Sequence, residues 1–151
     1  MLRLLILCLG VPLLAACTTF DPKHPLLGKT TVDSGQPGYW IWVADGNWHV
    51  RMTAGGHSHR FQGSMAGVRG SVADLQTTRP ELKSSIALVG DAVQFDVESS
   101  VAGEVPDGFD AHIVGGCARF ELMIDGHVRP EWVRMGPRNL PARHVPFERC
   151  P

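Results

Sequence analysis

Apolar and polar residues alternate along two neighbouring runs of the chain, residues 39–44 and 47–53. Alternation with a period of two is typical of β-strands that have one buried face. The dipeptide Asp45-Gly46 separates the runs, and Asp-Gly tolerates the positive φ angles that a two-residue type I′ turn needs. The pattern therefore predicts a β-hairpin whose register is fixed by its turn, with Ala44 opposite Asn47.

The predicted register sorts the hairpin side chains onto two faces. One face is uniformly apolar and is expected to lie in the core: Tyr39, Ile41, Val43, Trp48, Val50 and Met52. The other face carries Trp40, Trp42, His49 and Arg51. Residues 59–65 alternate in the same way and are predicted to form a third strand. Its Phe61, Gly63 and Met65 are expected to continue the core face, and its Arg60, Gln62 and Ser64 the other face.

Short β-rich runs recur along the rest of the chain, bounded by turns that are rich in Gly and Pro. They cover residues 86–89, 92–97, 109–114, 117–125 and 131–135, with Asp125-Gly126 as a second hairpin candidate. A loop or short helix is expected at 77–85, and prolines are expected to keep 138–151 irregular. No window has the sustained period near 3.6 of a helix. The predicted fold is all-β, a small antiparallel sandwich or barrel with Gly/Pro-rich turns.

The start of the chain differs from the rest. A positive charge at Arg3 precedes an apolar stretch, residues 4–14, and the small residues Ala15-Ala16. This order is typical of a secretory signal peptide, and the stretch is shorter than the roughly 20 residues that span a bilayer. The quartet Leu14-Ala15-Ala16-Cys17 resembles the lipobox of bacterial lipoproteins. The resemblance implies cleavage before Cys17 and acylation of that cysteine, for example with palmitate.

The resemblance covers only the leader, but it also implies a location. Stable anchoring needs more than one acyl chain, and lipoproteins of this class carry several. An aspartate after the cysteine favours retention in the inner membrane, whereas Thr18 follows Cys17 here. We therefore expect a lipid anchor in the outer membrane and a domain that faces the periplasm. The alternative is an ordinary signal peptide with a chance cysteine.

Three regions follow from these patterns: a signal peptide at 1–16, a lipid-anchored tether at 17–38 and a single β domain at 39–151. The tether is rich in Pro, Gly and polar residues, which is typical of loops. Charge is nearly balanced, with 14 Lys and Arg against 15 Asp and Glu. A nucleic-acid partner is not expected, because it would require a strongly basic surface.

The four cysteines reduce to one candidate pair. Cys8 leaves with the leader, and Cys17 is the expected lipid site. Cys117 and Cys150 remain in a chain sent to an oxidising compartment, where disulfides persist. Two free buried thiols or a metal pair are the alternatives, but the spacing fits no common zinc pattern. A disulfide between them is predicted, and it would hold the C-terminal tail on the domain.

One surface is a candidate ligand site. Trp40, Trp42, His49 and Arg51, extended by Arg60 and Gln62, place flat indoles beside hydrogen-bonding side chains, as a site for a sugar or another planar ligand does. The alternative, which we favour, is that another layer covers both tryptophans, with Arg51 and His49 at its rim, because tryptophan is usually mostly buried. Exposure of the tryptophans would decide between the two.

The remaining chemistry is sparse. His57 and His59 share a strand face but have no third ligand, so no metal or cofactor is expected. No serine lies in a Gly-x-Ser-x-Gly turn, and the Asp107-Gly108 stretch is more simply a turn than an acid pair. The expected function is non-enzymatic binding of an envelope glycan or an envelope protein. The alternatives are a small envelope hydrolase or a structural subunit of an envelope assembly.

Overall fold

The computed structural model describes residues 35–100, 106–136 and 138–151. Eleven strands and two short 3-10 helices form within these residues. The strands are β1 Gly38–Ala44, β2 Asn47–Thr53, β3 His59–Gly67, β4 Val72–Thr77, β5 Ile86–Val89, β6 Ala92–Ser99, β7 Asp107–Ile113, β8 Ala118–Ile124, β9 Val133–Met135, β10 Leu140–Pro141 and β11 Phe147–Arg149. The helices are Pro80–Ser84, inside the predicted loop or short helix, and Pro130–Trp132.

The strands pack as two sheets. The six-stranded sheet has the order β10-β9-β1-β2-β7-β4, and the five-stranded sheet has the order β11-β8-β3-β6-β5. All pairs are antiparallel except β1 with β9. The all-β prediction is confirmed, and the open edges make the fold a β-sandwich rather than a closed barrel.

The predicted hairpin of β1 and β2 is confirmed residue by residue. Ala44 pairs with Asn47 and Tyr39 with Met52. Asp45 and Gly46 have φ angles of 52° and 78°, so both central residues of the turn are in the left-handed region that a type I′ turn needs. β1 begins at Gly38, one residue earlier than the predicted domain.

The core lies between the two sheets and follows the strand alternation. In β6 and β8 every second residue is buried, while the residues between them face solvent. The apolar face predicted for the hairpin joins this core, with Val43 partly buried at its margin. Phe61 and Met65 of β3 are fully buried opposite the hairpin. Burial of an aromatic or long aliphatic side chain stabilises the fold by about 1.5–3 kcal/mol.

Tyr39 links the two sheets with a hydrogen bond. Its ring packs edge-on against Phe61, and its hydroxyl donates to the carbonyl oxygen of Met123 at 2.8 Å. The carbonyl oxygen of Gln62 lies at 3.3 Å from the same hydroxyl. Burial raises the pKa of Tyr39 well above its usual value, and the contact with the Gln62 carbonyl only partly offsets this.

Several strand assignments made from the sequence need correction. Residues 131–135 do not fold back on β8 across Asp125-Gly126, because β9 crosses to the other sheet and pairs with β1. β4 was not predicted, since its alternation is broken by a bulge between Ala73 and Gln76. The tail predicted to be irregular contains β10 and β11, which are short enough to fit between its prolines.

The disulfide between Cys117 and Cys150 is confirmed. It continues the pairing of β11 with β8, in which Arg149 lies opposite Ala118. The two Cα atoms are 4.1 Å apart, because Cys150 lies opposite Cys117 where the antiparallel pairing continues. The tail is therefore fastened to the edge of the five-stranded sheet.

The leader, Cys17 and most of the tether, residues 1–34, lie outside the described residues. In the part of the chain that is described, no helix is long and apolar enough to cross a membrane.

Candidate functional site

The six residues predicted to share a ligand-binding face lie on two opposite faces of the sandwich. Trp40, Trp42, His49 and Arg51 are on the outer face of the six-stranded sheet. Arg60 and Gln62 are on the outer face of the five-stranded sheet, because β3 pairs with β6 and β8. The prediction that they form one surface is wrong. Residues 55–56, two glycines with positive φ, turn the chain between the sheets, and alternation alone does not reveal which sheet the next strand joins.

The first group is closed to solvent. Trp40 and Trp42 are 6% and 5% exposed, yet neither belongs to the core between the sheets. This agrees with the alternative that the tryptophans are covered. The expectation that Arg51 and His49 lie at a rim is wrong, since Arg51 is 0% exposed and His49 is 4% exposed.

Asp110 of β7 completes this group, which we call the buried cluster: Trp42, His49, Arg51 and Asp110. β2 pairs with β7 so that His49 lies directly opposite Asp110. The carboxylate Oδ1 is 2.8 Å from Nδ1 of His49 and 2.7 Å from Nη1 of Arg51. The sequence contained the β7 strand but no local signal for its partner, so Asp110 was not predicted to belong here. Asp107-Gly108, predicted to be a turn, also lies within β7.

Trp42 stacks on the polar members of the buried cluster. Its ring centroid is 5.0 Å from that of His49 at an angle of 17°, and 5.3 Å from the guanidinium carbon of Arg51. A cation over an indole contributes about 0.5–2 kcal/mol, with the larger values for pairs removed from water. The indole of Trp42 thus covers both the imidazole of His49 and the guanidinium of Arg51.

The guanidinium of Arg51 uses its donors unevenly. Nη1 donates to the carbonyl oxygens of Val50 at 3.0 Å and Phe109 at 2.9 Å, besides the carboxylate of Asp110. Nε and Nη2 are buried and have no acceptor among the described residues. A buried donor without a partner costs about 1–3 kcal/mol. Gly108 lies opposite Arg51, where a Cβ atom would collide with the carbonyl oxygen of Val50.

The electrostatics of the buried cluster favour a charged Asp110. Burial alone raises the pKa of this carboxyl group. The hydrogen bond with His49 and the charge of Arg51 together outweigh burial, so the pKa of Asp110 lies below its usual value. The carboxylate is therefore a fixed negative charge beneath the sheet surface.

The second group, Arg60 and Gln62, is open to solvent. Like the buried cluster, it contains an arginine paired with an aspartate. Nε and Nη2 of Arg60 donate to Asp96 at 2.8 and 2.6 Å, and Nε2 of Gln62 donates to the same carboxylate at 3.1 Å. The hydrogen bond from Arg60 lowers the pKa of Asp96, and the same bond raises the pKa of Arg60. Asp96 thus holds both predicted residues in fixed positions.

A groove of about 800 Å³ opens over this face. Its floor and walls combine amide, hydroxyl and carboxylate groups with apolar side chains. The lining comprises Gln62, Gly63, Ser64, Ser84, Ser85, Ala87, Val89, Gln94, Phe95, Asp96, Glu121, Leu122, Met123, Val128, Val145 and Pro146. Neither tryptophan of the predicted site lines it.

The groove borders the free edge of β5, the last strand of its sheet. The Asp96 N–H donates to the carbonyl oxygen of Ser85 at 3.0 Å, so residues 85, 87 and 89 direct their peptide groups at β6. The peptide groups of Leu88 therefore point away from the sheet. Leu88 and Val89 are 46% and 52% exposed, so this edge is apolar, and no strand of the described residues pairs with its outer side.

Two further polar side-chain pairs lie outside the buried cluster and the groove. Nε of Arg79 donates to the buried carboxylate of Asp107 at 2.8 Å. His59 Nδ1 is 2.7 Å from Asp125. Among the described residues, no group of three or more His, Cys, Asp or Glu side chains is placed to hold a metal ion.

Comparison with protein families, with curated proteins and with solved structures finds no match for this chain. The geometry of the two outer faces is therefore what bears on function.

Proposed function

We propose that the protein is a non-enzymatic binding module of the cell envelope, held on the outer membrane by lipid on Cys17. We further propose that it binds an extended polypeptide segment of another envelope protein. The groove over the five-stranded sheet is the binding surface. The observation that carries the proposal is that this open groove borders an apolar strand edge with which no described strand pairs.

An extended peptide can use both parts of this surface at once. The free N–H and C=O of Leu88 can pair with the backbone of an added strand, which is a general mode of peptide recognition. Alternate side chains of that strand would then lie on the groove side beside Val89 of β5, and a long side chain could reach Gln94 on β6, two strand spacings or about 10 Å from the added strand. Backbone pairing supplies affinity in this mode, and the pockets supply specificity.

A glycan remains the second candidate ligand. The amides, hydroxyls and carboxylates of the groove suit sugar hydroxyls, and Asp96 holds Gln62 in place to serve them. Trp40 and Trp42, which the sequence offered as stacking platforms, are closed to solvent on the other sheet. The polypeptide is favoured for this reason.

Selection from a random heptapeptide display library against the full chain tests the proposal. Selected peptides are expected to lose binding when N-methylation removes the N–H groups that pair with Leu88, and to keep it when the alternate N–H groups are methylated. Leu88→Pro, which removes the edge N–H, should abolish binding. Leu88→Ala, which keeps that N–H, should only weaken it.

Purified cell-wall glycan strands are the competing probe. Binding to these strands that is lost in Gln94→Ala, with no peptide selected, would replace the polypeptide by the glycan. Peptides whose binding is indifferent to the position of N-methylation would overturn the strand-addition mode even if Leu88→Pro fails to fold.

A further inference from the structure

The edge strands of the two sheets differ in how far they are protected against pairing with another chain. Among the described residues these strands are β10, β4, β11 and β5. Proline, charged side chains and bulges make an edge unfit for pairing. β10 contains Pro141, and β4 has a bulge between Ala73 and Gln76. β11 carries Glu148 and Arg149. The four residues of β5 are all apolar and pair with β6 without a shift in register, so β5 is the edge to which a further strand can be added.

The free side of β5 matches itself when a second copy of the chain is turned by 180°. The peptide groups of Leu88 point outward, so two antiparallel copies can pair about this residue. In that register each Leu88 donates its N–H to the carbonyl oxygen of the other. The two Leu88 side chains, each 46% exposed in one copy, then meet on the inner side of the sheet. On the groove side, Ala87 faces Val89 of the second copy, so the pairing covers apolar surface that a single copy exposes.

Opposite charges at the two ends of β5 favour this antiparallel arrangement. Lys83 precedes the strand, in the 3-10 helix Pro80–Ser84, and Asp91 follows it, in the turn to β6. Both side chains are exposed. Pairing about Leu88 places Asp91 opposite Ser85 of the second copy and two residues from its Lys83, and the same contact forms again by two-fold symmetry. Parallel pairing would instead bring like charges together.

From these observations we infer that β5 pairs with β5 of a second copy of this chain, which joins the two five-stranded sheets into one continuous sheet. The proposed function assigns the same edge to a peptide, so a second copy and a peptide exclude each other there. The pairing itself does not require the proposed function, and only its reversal by a peptide rests on that function. Four residues per copy make a small contact, and anchoring both copies on one membrane would raise their effective concentration.

Sedimentation equilibrium of the full chain up to about 1 mM tests the pairing at the effective concentration that a short tether provides. A reversible dimer is expected. Lys83→Asp or Asp91→Lys alone places like charges together at two symmetric contacts, so each should raise the dissociation constant about tenfold. The double variant, which exchanges the two charges, should restore the dimer. Glu148→Lys, a charge reversal on β11 at the other edge of the same sheet, is the matched control and should leave the dimer unchanged.

A chain that stays monomeric up to that concentration overturns the inference, and so does a double variant that pairs no better than the single ones. A peptide from the display selection that needs the Leu88 N–H should dissociate the dimer, and one that binds without dissociating it would also overturn the inference. A dimer with no selected peptide would contradict the proposed function and leave the inference in place. Selected peptides bound by a chain that never pairs would do the opposite.

Discussion

The two outer faces of the sandwich carry the same pair of residue types in opposite surroundings. On the six-stranded sheet, Arg51 and Asp110 are enclosed with Trp42 and His49. On the five-stranded sheet, Arg60 and Asp96 face solvent at the margin of a groove. An ion pair removed from water is costly to break, since the remaining charge stays buried, whereas an exposed pair is screened. Burial therefore separates a structural pair from one that is available to a ligand.

The largest expected effect breaks the buried pair. Asp110→Ala leaves the guanidinium of Arg51 buried without its carboxylate, and we expect the free energy of unfolding to fall by about 3–5 kcal/mol. Asp96→Ala is the matched control and should leave the urea midpoint almost unchanged, because both partners are exposed. Equal losses in the two variants would show that the faces do not differ as described.

Removal of the disulfide tests how much the covalent link at the edge of the five-stranded sheet stabilises the fold. Replacing Cys117 and Cys150 by serine removes the covalent link between the start of β8 and the C-terminal tail. The loss expected from the chain-entropy model is about 3–4 kcal/mol for a sequence separation of 33 residues. Urea unfolding of the double variant measures it, and a stability equal to that of the oxidised protein would contradict this role for the link.

Lowering the pH should reduce the stability of the fold through protonation of Asp110 in the buried cluster. Its pKa is lowered in the folded protein, so its contribution to stability is complete above the unfolded pKa and is lost as pH falls through the folded pKa. Unfolding free energies measured across the acid range should therefore decline less steeply in Asp110→Asn than in the unaltered protein. Parallel curves would mean that Asp110 titrates alike in both states.

The smallest effect on stability is expected within the groove. Gln94 is exposed on β6, so Gln94→Ala should change the free energy of unfolding by no more than about 0.5 kcal/mol. The same variant should bind selected peptides more weakly, as titration of a labelled peptide would show. A large loss of stability with unchanged binding would assign Gln94 to the fold instead of the groove.

The sequence correctly predicted features that depend on a short pattern or on elimination, namely the hairpin register and the disulfide. The register of β1 and β2 followed from Asp45-Gly46 alone, because a two-residue turn leaves no freedom in the pairing. The disulfide followed from two cysteines left over in a chain expected to be exported. Both depend on few residues or on elimination.

The non-local parts could not be predicted in the same way. The pairing of His49 with Asp110 joins residues 61 positions apart, and no turn between them fixes a register. The assignment of β3 to the opposite sheet also depends on packing, since its alternation satisfies either sheet equally well. The candidate site was for this reason predicted as one surface, although its residues belong to two.

The absorbance of Tyr39 can report whether the two sheets remain packed together. It is the only tyrosine of the chain, and its hydroxyl bridges from β1 to a carbonyl of β8 in the other sheet. Because its pKa is raised in the folded protein, no phenolate absorbance is expected at moderately alkaline pH as long as the two sheets stay packed together. If the pH is raised slowly, an increase in phenolate absorbance would therefore mark the point at which the two sheets separate, and no added label is needed.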